Sequence, residues 1–107
     1  MKYAVLLAQE AEDDLVDIYR YAAESDSVER ADDILTGIER RCSQLHGLPH
    51  RGHVPPELER LGVLDFREVH FKPYRIVYEV TGTTVNVYAI LDGRRDLQEV
   101  LVRRLLR

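Results

Sequence analysis

Three apolar stretches in the C-terminal half follow one another with almost no chain between them, and they constrain the fold most. They span residues 66–71, 74–81 and 84–91, and the connections are Lys72-Pro73 and Gly82-Thr83. Connections this short fit only tight hairpin turns. A parallel pair of strands would need a crossover of about a dozen residues or more. The three stretches are therefore expected to be consecutive antiparallel strands.

The N-terminal half carries helical periodicity after a short apolar run at residues 3–7, which we interpret as a strand. Apolar residues recur every three or four positions over residues 9–24, as on one face of a helix. A second stripe with the same spacing is longer and comprises Val28, Ala31, Leu35, Ile38, Cys42 and Leu45. Asp26 and Glu29 have the spacing of a capping box at the start of this second helix. The stretch 47–65, which contains glycine and proline, predicts a loop.

A last helix is predicted after the strands. Asp96 and Glu99 form another possible capping box. The apolar face that follows comprises Leu97, Val100, Leu101 and Leu105. The expected order is β-α-α-β-β-β-α. We predict one α+β domain over residues 1–107, with an antiparallel four-stranded sheet, an N-terminal helical hairpin packed on one face and a short C-terminal helix.

Composition excludes several classes of protein. Apolar residues make up 45% of the chain and charged residues 32%, which is typical of a globular protein. No apolar run approaches the ~20 residues that cross a bilayer. The net charge is −4, which disfavours general nucleic-acid binding. The single cysteine, Cys42, excludes an internal disulfide and fits a cytoplasmic protein.

Two short motifs carry a resemblance to a known family. Tyr-Arg-Ile-Val-Tyr lies at residues 74–78, and Gly-Arg-Arg-Asp lies at residues 93–96. With the order of elements, they resemble the RelE/ParE superfamily of bacterial toxins over nearly the whole chain. The resemblance implies a toxin of a type II toxin–antitoxin pair, silenced by a cognate antitoxin with which it could form a hetero-oligomer. RelE-like members cleave mRNA in the ribosome, whereas ParE-like members poison DNA gyrase and are not nucleases.

A RelE-like nuclease reading of this chain assigns catalytic roles to Arg67, Arg75 and Arg95. Arginine can stabilise the charge of a phosphate, but it is a poor proton shuttle because its pKa lies above about 12. The resemblance also requires a second sheet lysine, which has no clear counterpart, and a tyrosine where this chain has Leu101. His70 could act as a base in their place. These gaps favour the ParE-like interpretation, with the nuclease and a non-toxic antitoxin-binding module as alternatives.

Arginines are also the expected contacts to a protein partner, and no membrane partner is expected. The candidates are Arg75, Arg94, Arg95, Arg103 and Arg104. We expect Arg75 and Arg95 to share one water-accessible patch of positive potential. In the alternative interpretation Arg75 pairs with Glu68 or Glu79 on an exposed face, and Arg94 and Arg95 are solvated turn residues.

Neither a cofactor nor a metal is expected. His46, His50 and His53 are close together in the sequence, but their spacing matches no known ligand pattern. Cys42 belongs to the apolar stripe of the second helix and is interpreted as a core residue.

Overall fold

The computed structural model describes residues 2–106. Its helices and strands, in chain order, are β1 Ala4–Leu7, α1 Gln9–Ser25, α2 Val28–Gln44, α3 Pro56–Glu59, β2 Phe66–Phe71, β3 Tyr74–Thr81, β4 Thr84–Asp92 and α4 Gln98–Leu105. The predicted α+β fold is confirmed. The short helix α3 was not predicted, since it lies inside the stretch interpreted as a loop. Over residues 2–106, none of the helices combines the length and the apolar character needed to cross a membrane.

The four strands form one sheet in the order β1-β4-β3-β2. The pairs β2–β3 and β3–β4 are antiparallel, as predicted. Strand β1 instead runs parallel to β4, with Ala4 opposite Thr84 and Leu7 opposite Val87. The prediction of a sheet that is antiparallel throughout is therefore wrong. The helical hairpin supplies part of the long connection that a parallel pair needs.

The helical hairpin of α1 and α2 covers one face of the sheet. Buried residues from both helices meet Ile76, Tyr78 and Val85 there and form the larger core. Helix α2 approaches β2 so closely that a Cβ on Gly37 would lie 2.2 Å from the ring of Phe71. A glycine at this position therefore lets the hairpin pack flat on the sheet.

The opposite face carries a smaller core beneath α3 and α4. Its buried residues are Leu58, Phe66, Val77, Ala89, Leu97 and Leu101. Pro56 occupies the start of α3, where its missing N–H costs nothing and its fixed φ suits the first helical turn. Leu58 of α3 is fully buried in this core. This anchor holds the neighbouring Glu57 over the sheet.

The predicted helix caps differ from the structure in detail. Ser27, not Asp26, caps α2, and its Oγ accepts a hydrogen bond from the N–H of Arg30 at 3.0 Å. Asp96 does accept a backbone hydrogen bond near the start of α4, but the donor is Gln98. Both capping boxes are thus wrong as predicted, while the helices that they mark are present.

Candidate functional site: an arginine between two glutamates

Arg75 lies on the sheet face that α3 covers, and its side chain is only 12% exposed. Its Nη1 and Nη2 donate to the two carboxylate oxygens of Glu57, each at 2.7 Å. Its Nε and Nη2 donate to the two oxygens of Glu68. Glu68 is itself buried, with 1% of its side chain exposed. The guanidinium group is thus held by two forked pairs, one from α3 and one from β2.

The contacts between Arg75 and Glu57 shift the pKa values of both groups. The hydrogen bonds from Arg75 lower the pKa of the Glu57 carboxyl, although partial burial opposes the shift. The pKa of the Arg75 guanidinium is raised, with the hydrogen bonds that it donates to Glu57 as the largest cause. Both groups therefore remain charged over the whole physiological range.

The expectation that Arg75 and Arg95 share a water-accessible positive patch is therefore wrong for Arg75. Two carboxylates neutralise its charge, and little of its side chain meets solvent. The alternative pairing with Glu68 is observed, but on a covered face instead of an exposed one. Glu79 contacts the hydroxyl of Tyr88 instead.

Arg67 lies on the other face of the sheet. Neighbouring residues of a strand point to opposite faces, and Arg67 is adjacent in sequence to Glu68. Its cross-strand partner is Tyr78, in the larger core. The Arg67 guanidinium donates to the backbone oxygens of Gly52 and His50, at 2.8 and 3.3 Å. The structure does not bring Arg67 and Arg75 together at one site.

Arg94 and Arg95 lie in the turn after β4. Arg94 is 71% exposed, and its Nη2 pairs with Asp92 at 2.7 Å. The hydrogen bonds from Arg94 lower the pKa of Asp92. Arg95 is exposed, and its side chain makes no hydrogen bond or ion pair with any other residue between 2 and 106. Both arginines line a groove of about 490 Å³ that also has acidic residues of α1 in its wall.

Helix α4 carries one exposed and one enclosed arginine. Arg103 is exposed. Arg104 is 12% exposed and donates to both oxygens of Asp14 and to the backbone oxygen of Tyr88. It also lies 3.2 Å from Glu10. Burial raises the pKa of Asp14 by more than the hydrogen bonds from Arg104 lower it. Arg104 thus ties α4 to α1 and is not free for a partner.

Sequence reasoning missed a cluster of two histidines around Glu68. The Nε2 of His53 lies 3.0 Å from one oxygen of Glu68, and the Nε2 of His70 lies 3.4 Å from the other. Glu68 and His70 are two residues apart on β2, and this spacing alone indicates a shared face. His53 joins them because its backbone N–H and C=O bond to those of Glu68 at the edge of the sheet.

The architecture is shared with chains from two toxin–antitoxin structures. A chain of the chromosomal ParDE TA system from P. aeruginosa matches with a TM-score of 0.70 and 19% identity, covering 83% of this chain and 94% of that one. A chain of the toxin–antitoxin complex RelBE2 from Mycobacterium tuberculosis matches with a TM-score of 0.64 and 19% identity, covering 86% and 92%. At this identity the similarity establishes the fold alone, which is one that occurs in toxin–antitoxin systems.

The family follows from the sequence match. Residues 5–97 match the family described as the ParE toxin of the type II toxin–antitoxin system parDE. The match covers most of the chain, so this protein belongs to the ParE toxin family, and the resemblance to the RelE/ParE superfamily is confirmed. Among curated proteins, none matches the chain.

Proposed function

We propose that this type II toxin poisons DNA gyrase in the cytoplasm and is neutralised by a cognate antitoxin. The observation that carries the proposal is the enclosure of Arg75 between Glu57 and Glu68. The RelE-like reading would need this arginine to meet the scissile phosphate. A gyrase poison needs no such group, because it acts by binding.

A phosphate at Arg75 would meet two obstacles. It would have to replace carboxylates that already occupy the guanidinium fork, and it would lie against their negative charge. The other groups required for cleavage are also badly placed. Arg67 lies on the opposite face, and Leu101 is fully buried at the position of the expected tyrosine.

The surface offers two regions to an antitoxin. The first is the turn after β4 with the exposed Arg94 and Arg95, which suit acidic residues of a partner, as does the exposed Arg103 of α4. The second is an apolar groove of about 520 Å³ on the helical hairpin, lined in part by Leu15 and Val16. An apolar groove of this kind suits the apolar stripe of a partner helix. The toxin–antitoxin systems that contain the similar chains support an antitoxin as the partner.

One observation favours the nuclease alternative. His70, a possible base, lies on the same face as Arg75, and both residues line a small pocket beside Lys72. Acid–base and cationic groups are therefore neighbours there. The proposal must be tested against this alternative.

The test uses the purified toxin in two assays. With gyrase and relaxed plasmid, we expect loss of negative supercoiling and accumulation of cleaved DNA, both reversed by the antitoxin. In a translating extract we expect intact mRNA. The control is His70→Ala, which should leave gyrase inhibition unchanged. Cleavage of mRNA with normal supercoiling, abolished by His70→Ala, would establish the nuclease instead. No effect in either assay would contradict the gyrase proposal.

A further inference from the structure

His53, Glu68 and His70 gather three metal-binding side chains at the outer edge of β2. One ligand atom from each lies within 4.8 Å of the other two. The side chains come from separate segments, since His53 belongs to the loop before α3 while Glu68 and His70 belong to β2. From this geometry we propose that the three residues bind a divalent transition-metal ion, for which Zn²⁺ is the test case.

The charged groups around Glu68 have a net negative charge, which favours binding of a cation. Arg75 carries the positive charge nearest to Glu68, and Glu57 holds the same guanidinium with two hydrogen bonds. Two carboxylates therefore face one guanidinium, and the group carries one surplus negative charge when both histidines are neutral. Glu68 is almost wholly buried, where an uncompensated charge is costly. A bound cation would compensate it.

His70 provides a second, independent indication. Its Nε2 is shielded from solvent and has no hydrogen-bond partner among residues 2–106, although Glu68 is 3.4 Å away. Buried polar atoms are nearly always satisfied by a partner. A metal ion between this nitrogen and the carboxylate would accept the free lone pair of the His70 Nε2. The His53 and His70 rings pack in a T shape with their centroids 5.3 Å apart, so both imidazoles lie beside Glu68.

The donor atoms favour zinc-like ions over magnesium or calcium. Two imidazole nitrogens with one carboxylate form a donor set typical of Zn²⁺ and its transition-metal neighbours, whereas Mg²⁺ and Ca²⁺ prefer oxygen ligands. Ligand bonds of about 2.0–2.2 Å place neighbouring donors of a tetrahedral zinc roughly 3.3 Å apart. Each histidine nitrogen lies near a different oxygen of Glu68, at 3.0 Å for His53 and 3.4 Å for His70, so each donor pair is close to this value.

The proposed site is open to solvent on one side. The side chain of His53 is 59% exposed and that of His70 is 38% exposed. An ion can therefore reach the site from solvent without unfolding of the chain. Three protein ligands would leave a fourth position for water or for a donor group of a partner. The other histidines are engaged elsewhere, since His46 contacts the backbone of Ser43 and His50 packs against Tyr3.

Cys42 does not compete for the ion. It is buried in the larger core, on the other face of the sheet. Burial raises the pKa of its thiol to about 11, so the thiolate that binds metals is not populated near neutral pH.

The experiment titrates the untagged, chelator-treated toxin with ZnCl₂ at neutral pH. Calorimetry measures the heat of binding. We expect one Zn²⁺ per chain and a higher melting temperature in its presence, because an ion that binds only the folded chain stabilises it. Loss of a group that only supports a metal ligand lowers the affinity by about 10–100-fold. His53→Ala and His70→Ala, which each remove a ligand itself, should lower the Zn²⁺ affinity by no less than that. His46→Ala is the matched control and should bind as the wild type does. MgCl₂ should give no heat.

Folding of each variant is checked by circular dichroism without metal, so a misfolded chain is not counted as a lost ligand. His53→Ala changes an exposed side chain and keeps the experiment valid if His70→Ala fails to fold. A wild type that binds no Zn²⁺ would overturn the proposal. Binding that persists in both histidine variants would also overturn it, as would loss of binding in His46→Ala.

Discussion

Two groups of arginines in this toxin behave differently although the same sequence reasoning selected them. The enclosed arginines, Arg75 and Arg104, are each 12% exposed and each contact two acidic residues. The open arginines, Arg94, Arg95 and Arg103, lie at the surface. The difference teaches that a motif gives the position of a charge but not its partner. The acidic residues of α1 and α3 reach these arginines only through the fold, whereas Glu68 lies on the strand next to that of Arg75.

The two enclosed arginines also differ from each other. Glu57, a partner of Arg75, has a lowered pKa, because its hydrogen bonds outweigh its burial. Asp14, a partner of Arg104, has a raised pKa, because its burial outweighs its hydrogen bonds. The pair at Arg75 therefore stabilises the charged carboxylate, whereas the pair at Arg104 compensates only part of the burial cost.

The largest effect is expected from Arg75→Ala. The change leaves Glu57 and Glu68 against each other without their cation, and loss of one partner of a buried pair costs about 3–5 kcal/mol. Urea denaturation measures the free energy of unfolding. Adding Glu57→Gln to Arg75→Ala should recover part of the loss, because it removes the repulsion. A loss below about 1 kcal/mol would place Arg75 among ordinary surface ion pairs.

A smaller effect is expected from Arg104→Ala. The enclosed guanidinium makes hydrogen bonds to Asp14 and Tyr88, and bonds to charged groups contribute about 1.5–3 kcal/mol. Because Asp14 regains solvent when the side chain is removed, we expect a loss of about 1–2 kcal/mol in the same denaturation assay. Arg103→Ala, one position away on α4 and exposed, is the matched control and should leave the midpoint unchanged. Equal losses in the two variants would remove the distinction between enclosed and open arginines.

The pH dependence of stability should separate Glu57 from the other carboxylates. Its pKa in the folded chain lies below the ordinary 4.5, so its contribution is present above that pH and is lost as the pH falls through the folded pKa. Denaturation midpoints between pH 3 and 7 should therefore show Glu57→Gln less stable than the wild type at neutral pH. The gap should narrow below about pH 4.5. A gap that stays constant would contradict the lowered pKa. The pKa of Asp14 is raised instead of lowered. Because Asp14 is present in both proteins, its contribution cancels from the difference in stability between them.

The smallest effect on stability is expected from the double variant Arg95→Ala/Arg103→Ala. Neither side chain has a hydrogen bond or ion pair among residues 2–106, so the melting temperature should not change. Binding to the antitoxin should weaken by about tenfold, because the variant removes two surface charges from the contact proposed for an acidic partner. Arg51→Ala, in the loop before α3, is the control and should bind normally. Unchanged antitoxin affinity in the double variant would place the contact elsewhere, such as the apolar groove.

Most of the fold could be predicted from the sequence. The bounds of β2 and β3 agree with the predicted 66–71 and 74–81, because alternation and tight turns are local signals. The helix α3 was missed because its four residues, Pro56–Glu59, are too few to show periodicity. The parallel pairing of β1 was missed because its partner lies at the other end of the chain.

The site was less predictable for the same reason. Arg75 was identified, but Glu57 lies in the segment interpreted as a loop. Its two hydrogen bonds with the Arg75 guanidinium could therefore not be inferred. The spacing of Glu68 and His70 was a usable signal for two of the three proposed metal ligands. The third, His53, depends on a backbone pairing that no local pattern indicates.

The pairing of β1 with β4 also bears on how the toxin is made. Ala4 leaves the ribosome before both long helices and strands β2 and β3 are made, but its neighbour Thr84 emerges only after them. Strand β1 therefore stays unpaired until β4 has been made, and contacts this distant in sequence form slowly. An interrupted translation product would lack the strand that completes the sheet. Premature termination upstream of β4 should thus yield an unfolded fragment without toxin activity.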